Sequence, residues 1–185
     1  MTQKIKNALI SVSDKSDLQK ILPALDKYKI NLISSGGTYK EIKKLGYKCN
    51  ELSKYTEFDE MLGGRVKTLH PKIHAGILSD RSNKRHQDEM VKNKFKNIDL
   101  IIVNFYPFQK IVLKTKNSRN IIENIDIGGP TMVRAAAKNF KDVLIITDKK
   151  DYDALVDELR QHKGKTSLQF REYMASKAFS LTAYY

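Results

Sequence analysis

Four short apolar runs, each ending in or followed by hydroxyl, amide or turn residues, constrain this chain more than anything else in it. They are residues 7–13 (NALISVS), 31–34 (NLIS), 98–104 (IDLIIVN) and 142–147 (DVLIIT). Consecutive apolar positions over so few residues mark strands covered on both faces, and such strands pair in parallel. Parallel neighbours need a crossover of a dozen or more residues, usually a helix. The segments between the runs have that character.

Leu18, Ile21, Leu22 and Leu25 follow the 3, 4, 7 spacing of a helix, with Ser13 or Ser16 as its expected cap and Pro23 as an interruption. A second helix is expected over residues 39–45, directly after a Ser-Gly-Gly-Thr turn at 35–38. Residues 81–93 are polar, an exposed helix or loop, and 119–124 form a helical turn. Pro130 fits the first turn of a helix whose alanines carry it to Lys138. Tyr152, Leu155, Val156 and Leu159 mark another, and Phe170, Met174, Ala178 and Leu181 one more after a glycine and lysine linker at 164. The alternation predicts an α/β domain of about 150 residues, its mostly parallel sheet flanked by helices.

The 185 residues allow one domain and an appendage. No apolar run approaches a membrane span and the first residues lack a signal-peptide core, so the expected location is cytoplasmic. A lone cysteine, Cys49, excludes an internal disulfide and a cysteine-based zinc site. The net charge of +13 suggests nucleic acid, but the basic residues are 27 Lys and only 7 Arg, scattered and not interleaved with aromatics. A lysine-rich surface that attracts small anionic substrates fits better.

Strand, glycine turn, helix is an arrangement that points free N–H groups at a phosphate. Ser35, Gly36, Gly37 and Thr38 provide one such turn, and Ser11, Ser13 and Lys15 follow the first strand to the same sheet edge. Residues 63–78 (GGRVKTLHPKIHAGIL) look too polar and glycine-rich for a core helix or strand and are read as a ligand loop. His70 and His74 have zinc-ligand spacing, but Pro71 biases His70 away from helical dihedrals and no HExxH is present. The GxSxG, GxGxxG and Walker patterns are absent as well, leaving a cofactor-free enzyme or binder of a small phosphorylated molecule. Arg134 and Lys138 share one helical face, by themselves a solvated basic stripe.

ISVSDK at 10–15, SSGGT at 34–38, EMLGGRVKTLHPKIHAGIL at 60–78, NFYPF at 104–108 and NIDIGGPTMVRAAAKN at 124–139 together resemble the inosine monophosphate (IMP) cyclohydrolase family. In that family the domain forms the amino-terminal part of a bifunctional purine-biosynthesis protein whose other half is an AICAR formyltransferase. The resemblance implies a methylglyoxal-synthase-like three-layer domain over residues 1–148. Residues 149–185 would then be a helical linker and the start of a formyltransferase domain that this chain does not contain. It implies ring closure of formyl-AICAR to IMP with loss of water, no cofactor, no metal, and a homodimer.

By that resemblance Lys67 stabilises or protonates the formyl oxygen, Tyr106 shares its charge, and Asp126 handles the carboxamide proton. Lys138 is the second catalytic lysine. Ser11, Ser13, Lys15, Ser35, Gly36, Gly37 and Thr38 hold the 5′-phosphate, and Arg65, Thr68, Asn104, Gly128 and Gly129 surround base and ribose. Both histidines are read as structural, His70 being the one expected nearer the ligand. Asp126 and Lys138 lie at opposite ends of one helix, about 10 Å or more apart, so Lys138 is expected either along the wall of the site or in a partner subunit's site. The rival readings are a methylglyoxal-synthase-type phosphate lyase and a regulatory nucleotide-binding module.

Overall fold

The computed structural model describes residues 2–185. In chain order its strands are β1 (Thr2–Lys4), β2 (Asn7–Val12), β3 (Asn31–Ser34), β4 (Asn50–Glu51), β5 (Leu100–Asn104), β6 (Leu144–Ile146) and β7 (Lys165–Ser167). The helices are α1 (Leu18–Lys27), α2 (Gly36–Lys44), α3 (Leu52–Thr56), α4 (Pro71–Leu78), α5 (Lys84–Lys92), α6 (Phe108–Lys114), α7 (Ser118–Glu123), α8 (Gly128–Lys138), α9 (Tyr152–Gln161) and α10 (Leu168–Tyr184).

All four apolar runs enter one parallel sheet of order β4-β3-β2-β5-β6. Alternate side chains of each strand serve opposite faces. Ala8, Ile10, Leu32, Leu100, Ile102, Leu144 and Ile146 pack with α1 and α9, while Leu9, Ile33, Ile101, Val103 and Ile145 pack with α4 and α8. The result is the three-layer α/β architecture that the sequence predicts. From β2 the chain builds outward through β3 and β4, then returns to add β5 on β2's other side. The β2/β5 junction is therefore a topological switch point, where a crevice opens at the carboxyl ends of the strands.

Several expectations need correction. Neither Ser13 nor Ser16 caps α1, because Ser13 is bonded to Asn104 and Ser16 folds back on Asp14 Oδ1. The helix starts instead after Asp17 in the left-handed region (φ 68°), with Pro23 inside it and Leu18, Ile21, Leu22 and Leu25 buried. The helix expected from residue 39 begins at Gly36, so Gly36, Gly37 and Thr38 are its first turn. The segment 63–78 is not all loop. Its second half is α4, with Pro71 in the first turn and Ile73 and Ile77, four apart, fully buried.

Residues 149–185, expected as a linker and the start of something else, pack into this core. The α9 helix lies on α1, β7 pairs antiparallel with β1, and α10 packs on α8 and β6. Tyr152, Leu155, Leu159, Met174, Ala175 and Ala178 are buried there. Cys49 is half-buried against the α1 side of the core, where burial raises its thiol to about 12.

Candidate functional site

The switch point holds a cavity of about 580 Å³, within the range of small-molecule sites. Every residue that the sequence reading assigns to substrate or chemistry lines it, except Lys138. Four segments converge there: the end of β2, the β3–α2 turn, the end of β5, and the start of α8, with residues 63–68 closing one side.

At the floor, Val12 and Asn104 are register partners on β2 and β5. Beyond them the Asn104 side chain binds the outgoing β2 loop. Its Oδ1 accepts from Ser13 N (2.7 Å) and Asp14 N (3.0 Å), its Nδ2 donates to Asp14 O (3.0 Å), and the single proton of the Ser13 hydroxyl lies between Oδ1 (2.9 Å) and Phe105 O (2.7 Å). Asn104, expected beside base and ribose, thus spends most of its bonding capacity on the scaffold. Thr38 does likewise: its buried hydroxyl donates to Val12 O (3.0 Å) and accepts from Val12 N (3.2 Å), which fixes the first turn of α2 to β2. A hydroxyl has one proton to give, so Thr38 has none left for a phosphate. No hydrogen bond of the Ser11 or Ser35 hydroxyl is found among the described residues, and both groups line the cavity.

Two cations flank the glycine turn. Lys15 donates to Ser13 O (3.0 Å) and crosses Gly37 so closely that a Cβ there would stand 2.9 Å from its Cε. Lys67 Nζ lies 3.5 Å from where a Cβ of Gly36 would be, and Gly36 has φ +53°. Gly36 is needed for its backbone conformation, whereas a Cβ on Gly37 would displace only the flexible end of Lys15. The α2 amino terminus, the Lys15 ammonium and the free hydroxyls together suit a phosphate monoester.

The opposite wall is the IDIGG segment. Asp126 Oδ1 accepts from Gly129 N (2.8 Å), satisfying one orphan donor of α8. Burial raises the Asp126 carboxyl above its ordinary value, and the Gly129 N–H opposes this in part. A Cβ on Gly129 would lie 2.4 Å from Asp126 Oδ2, and one on Gly128 would lie 2.5 Å from Thr68 Oγ1. These glycines make room for neighbouring polar groups. Tyr106 is half-exposed at the rim. Arg65 reaches across the mouth to Glu123, with Nε 3.2 Å from Oε2 and Nη2 on Oε1. That bond raises the guanidinium and lowers the carboxyl. Glu123 lines the cavity without having been anticipated, as do Ile122, Ile125 and Ile127.

The two histidines are outside. His70 caps α4, its Nδ1 accepting from Lys72 N (3.1 Å), and its ring packs on Phe58, the structural role expected of it, outside the residues that line the cavity. His74 Nε2 is buried without a partner, and burial lowers its pKa. No group of three or more potential metal ligands occurs among the described residues. Lys138 is exposed at the carboxyl end of α8, away from the cavity.

The MGS-like domain family model matches residues 17–131, and the AICARFT/IMPCHase bienzyme model matches residues 136–185. The bifunctional purine biosynthesis protein PurH of Bradyrhizobium diazoefficiens is 48% identical over 183 residues, which is 99% of this chain and 34% of that protein. PurH of Clostridium perfringens is 46% identical over 180 residues, 97% of this chain and 36% of its own length. The chain thus spans about a third of the curated relatives it matches. The crystal structure of ForH superposes with a TM-score of 0.86 at 30% identity, covering 97% of this chain and 92% of that one.

Proposed function

Since the chain belongs to the MGS-like domain family and continues into a match with the AICARFT/IMPCHase bienzyme, we propose that it closes the purine ring of formyl-AICAR to give IMP and water. The observation that carries this reading is the convergence, on one cavity, of a phosphate-type glycine turn with Lys67, Tyr106 and Asp126.

The reaction joins the carboxamide nitrogen to the neighbouring formyl carbon. The carboxamide nitrogen must lose one proton as the C–N bond forms, and the formamide nitrogen must give up its proton as the new C=N bond forms and the formyl oxygen, protonated twice, leaves as water. Anchoring the 5′-phosphate against Ser35, Gly36, Gly37 and Lys15 fixes the nucleotide and leaves its base to reach the far wall. There Asp126, whose carboxyl burial raises above its ordinary value, accepts the carboxamide proton or orients the NH₂ group. Lys67 and Tyr106 supply positive charge and a hydrogen bond to the formyl oxygen as it becomes anionic. Holding both arms in contact supplies much of the rate, since the attack is intramolecular.

Lys138 does not fit into its own cavity, and its exposed place at the end of α8 supports a role in the site of a second copy. A further formyltransferase domain, as in the bifunctional relatives, is part of the same proposal. An ultraviolet assay of formyl-AICAR cyclisation tests the whole reading. Turnover by the wild type, lost in Lys67→Ala and Asp126→Ala, is expected, and near-normal turnover by either variant overturns the assignment.

A further inference from the structure

The loop that carries Lys67 is closed by an isolated antiparallel bridge. Met61 N donates to Val66 O (3.0 Å) and Val66 N to Met61 O (3.2 Å). Between them Leu62, Gly63 and Gly64 all have positive φ (54°, 64° and 92°), which turns the chain back on itself. Residues just outside such a bridge face each other across the pair. Here they are Glu60 and Lys67, and their side chains meet, with Nζ 2.6 Å from Oε2.

The pair is asymmetric. The Lys67 side chain is 29% exposed and lines the cavity, whereas that of Glu60 is 57% exposed and stands outside it. The ammonium lies between two glycines, 3.5 Å from the place of a Cβ on Gly36 and 3.7 Å from one on Gly64. Glu60 is the only carboxylate within ion-pair distance of Lys67 among the described residues. A free lysine side chain has four rotatable bonds and loses considerable entropy when fixed. A charge that acts on a transition state is most effective when already in place.

We propose that Glu60 is a positioning residue for ring closure: from outside the cavity, across the Met61/Val66 bridge, it fixes the ammonium of Lys67 over the Gly36 turn. This rests on the cyclohydrolase reading above. Glu60 touches no substrate and moves no proton. It removes the freedom of Lys67 before substrate arrives. Being exposed, the ion pair contributes little to stability.

Steady-state kinetics of Glu60→Ala, Glu60→Gln and Glu60→Asp test this. Glu60→Ala should lower kcat at least about tenfold and up to ~10²-fold, the scale of a 1 Å misplacement, with KM within about threefold and the melting temperature unchanged. Glu60→Gln should fall between Ala and wild type, and Glu60→Asp should recover part of the loss. A kcat within twofold of wild type in Glu60→Ala, or a loss confined to KM, overturns the proposal. The Lys67 side-chain NMR resonance, assigned with Lys67→Arg, gives a readout independent of turnover. It should shift and sharpen in Glu60→Gln, and an unchanged resonance overturns the contact. If the wild type does not cyclise formyl-AICAR, the functional reading falls, and with it the catalytic role of Glu60.

Discussion

Ser13 and Asn104, 91 positions apart, meet at the switch point of the sheet, where the Asn104 side-chain carbonyl accepts from the backbone N–H of Ser13 and shares the Ser13 hydroxyl proton with Phe105 O. One side chain thereby closes the end of β2 onto the end of β5 and sets the floor of the cavity. Asn104→Ala leaves Ser13 N and Asp14 N without their acceptor. A loss of about 1 kcal/mol in unfolding free energy is expected, that of ordinary hydrogen bonds, since the freed N–H groups are partly exposed and can reach water. Urea denaturation measures it, and KM for formyl-AICAR should rise in parallel because the phosphate loop loosens.

Asp126 links activity and stability with opposite signs. Burial raises its carboxyl above the ordinary 3.8, so the folded protein prefers the neutral form. The stabilising preference is fully present below the ordinary value and is lost as pH rises through the raised one. At neutral pH the ionised group is therefore a cost, which Asp126→Asn removes while its amide oxygen keeps the bond from Gly129 N. The variant should melt higher than wild type at pH 7, with the difference closing near pH 3. Its cyclisation rate should fall by about 10²-fold or more, as expected when a general base is removed. Thermal melts across pH and the ultraviolet assay check the two halves separately.

Much of this site is legible in the sequence because its parts lie in contiguous motifs. The apolar runs give the strands, and the turn at residues 35–38 lies at a strand end as such turns must. What escapes is set by tertiary contact. The strands β1, β4 and β7 are two or three polar residues each, and pairing alone makes them strands. Glu123 is an ordinary surface acid until the fold brings it to Arg65, 58 positions away. Ile73 and Ile77 carry a helical period too short to be seen amid the polar residues before them. Thr38 and Asn104 are named by their motifs, but only the structure shows that their polar atoms bind the scaffold.

Gly129 is constrained by Asp126, not by its backbone. An added methyl would stand 2.4 Å from Asp126 Oδ2, and a short side chain escapes such a clash by rotating away. Alanine is also favoured over glycine in a helix, by about 1 kcal/mol. Gly129→Ala should keep the melting temperature within a few degrees of wild type yet lower kcat about tenfold or more, through a misplaced carboxylate. Differential scanning calorimetry together with the cyclisation assay distinguishes this from general loss of fold.

Arg171, on α10 and 2% exposed, donates from Nε to Phe140 O (2.8 Å), from Nη2 to Lys141 O (2.8 Å) and from Nη1 to the Thr166 carbonyl and hydroxyl. It ties the loop after α8 to β7, and those acceptors offset part of the cost of its burial, which still lowers the guanidinium pKa. Arg171→Ala should cost about 3 kcal/mol, since three carbonyls lose a charged donor and each orphaned acceptor costs about 1 kcal/mol or more. Truncation after Asp148 removes more. It strips α9 from Ile21 and Leu25 of α1, α10 from α8 and β6, and the partner strand from β1. The faces exposed are continuous and apolar, so residues 1–148 alone should be insoluble or molten, with lost near-ultraviolet circular dichroism. Residues 1–185 should show one cooperative transition. A cooperative, soluble 1–148 fragment would instead place the domain boundary at the linker read from the sequence.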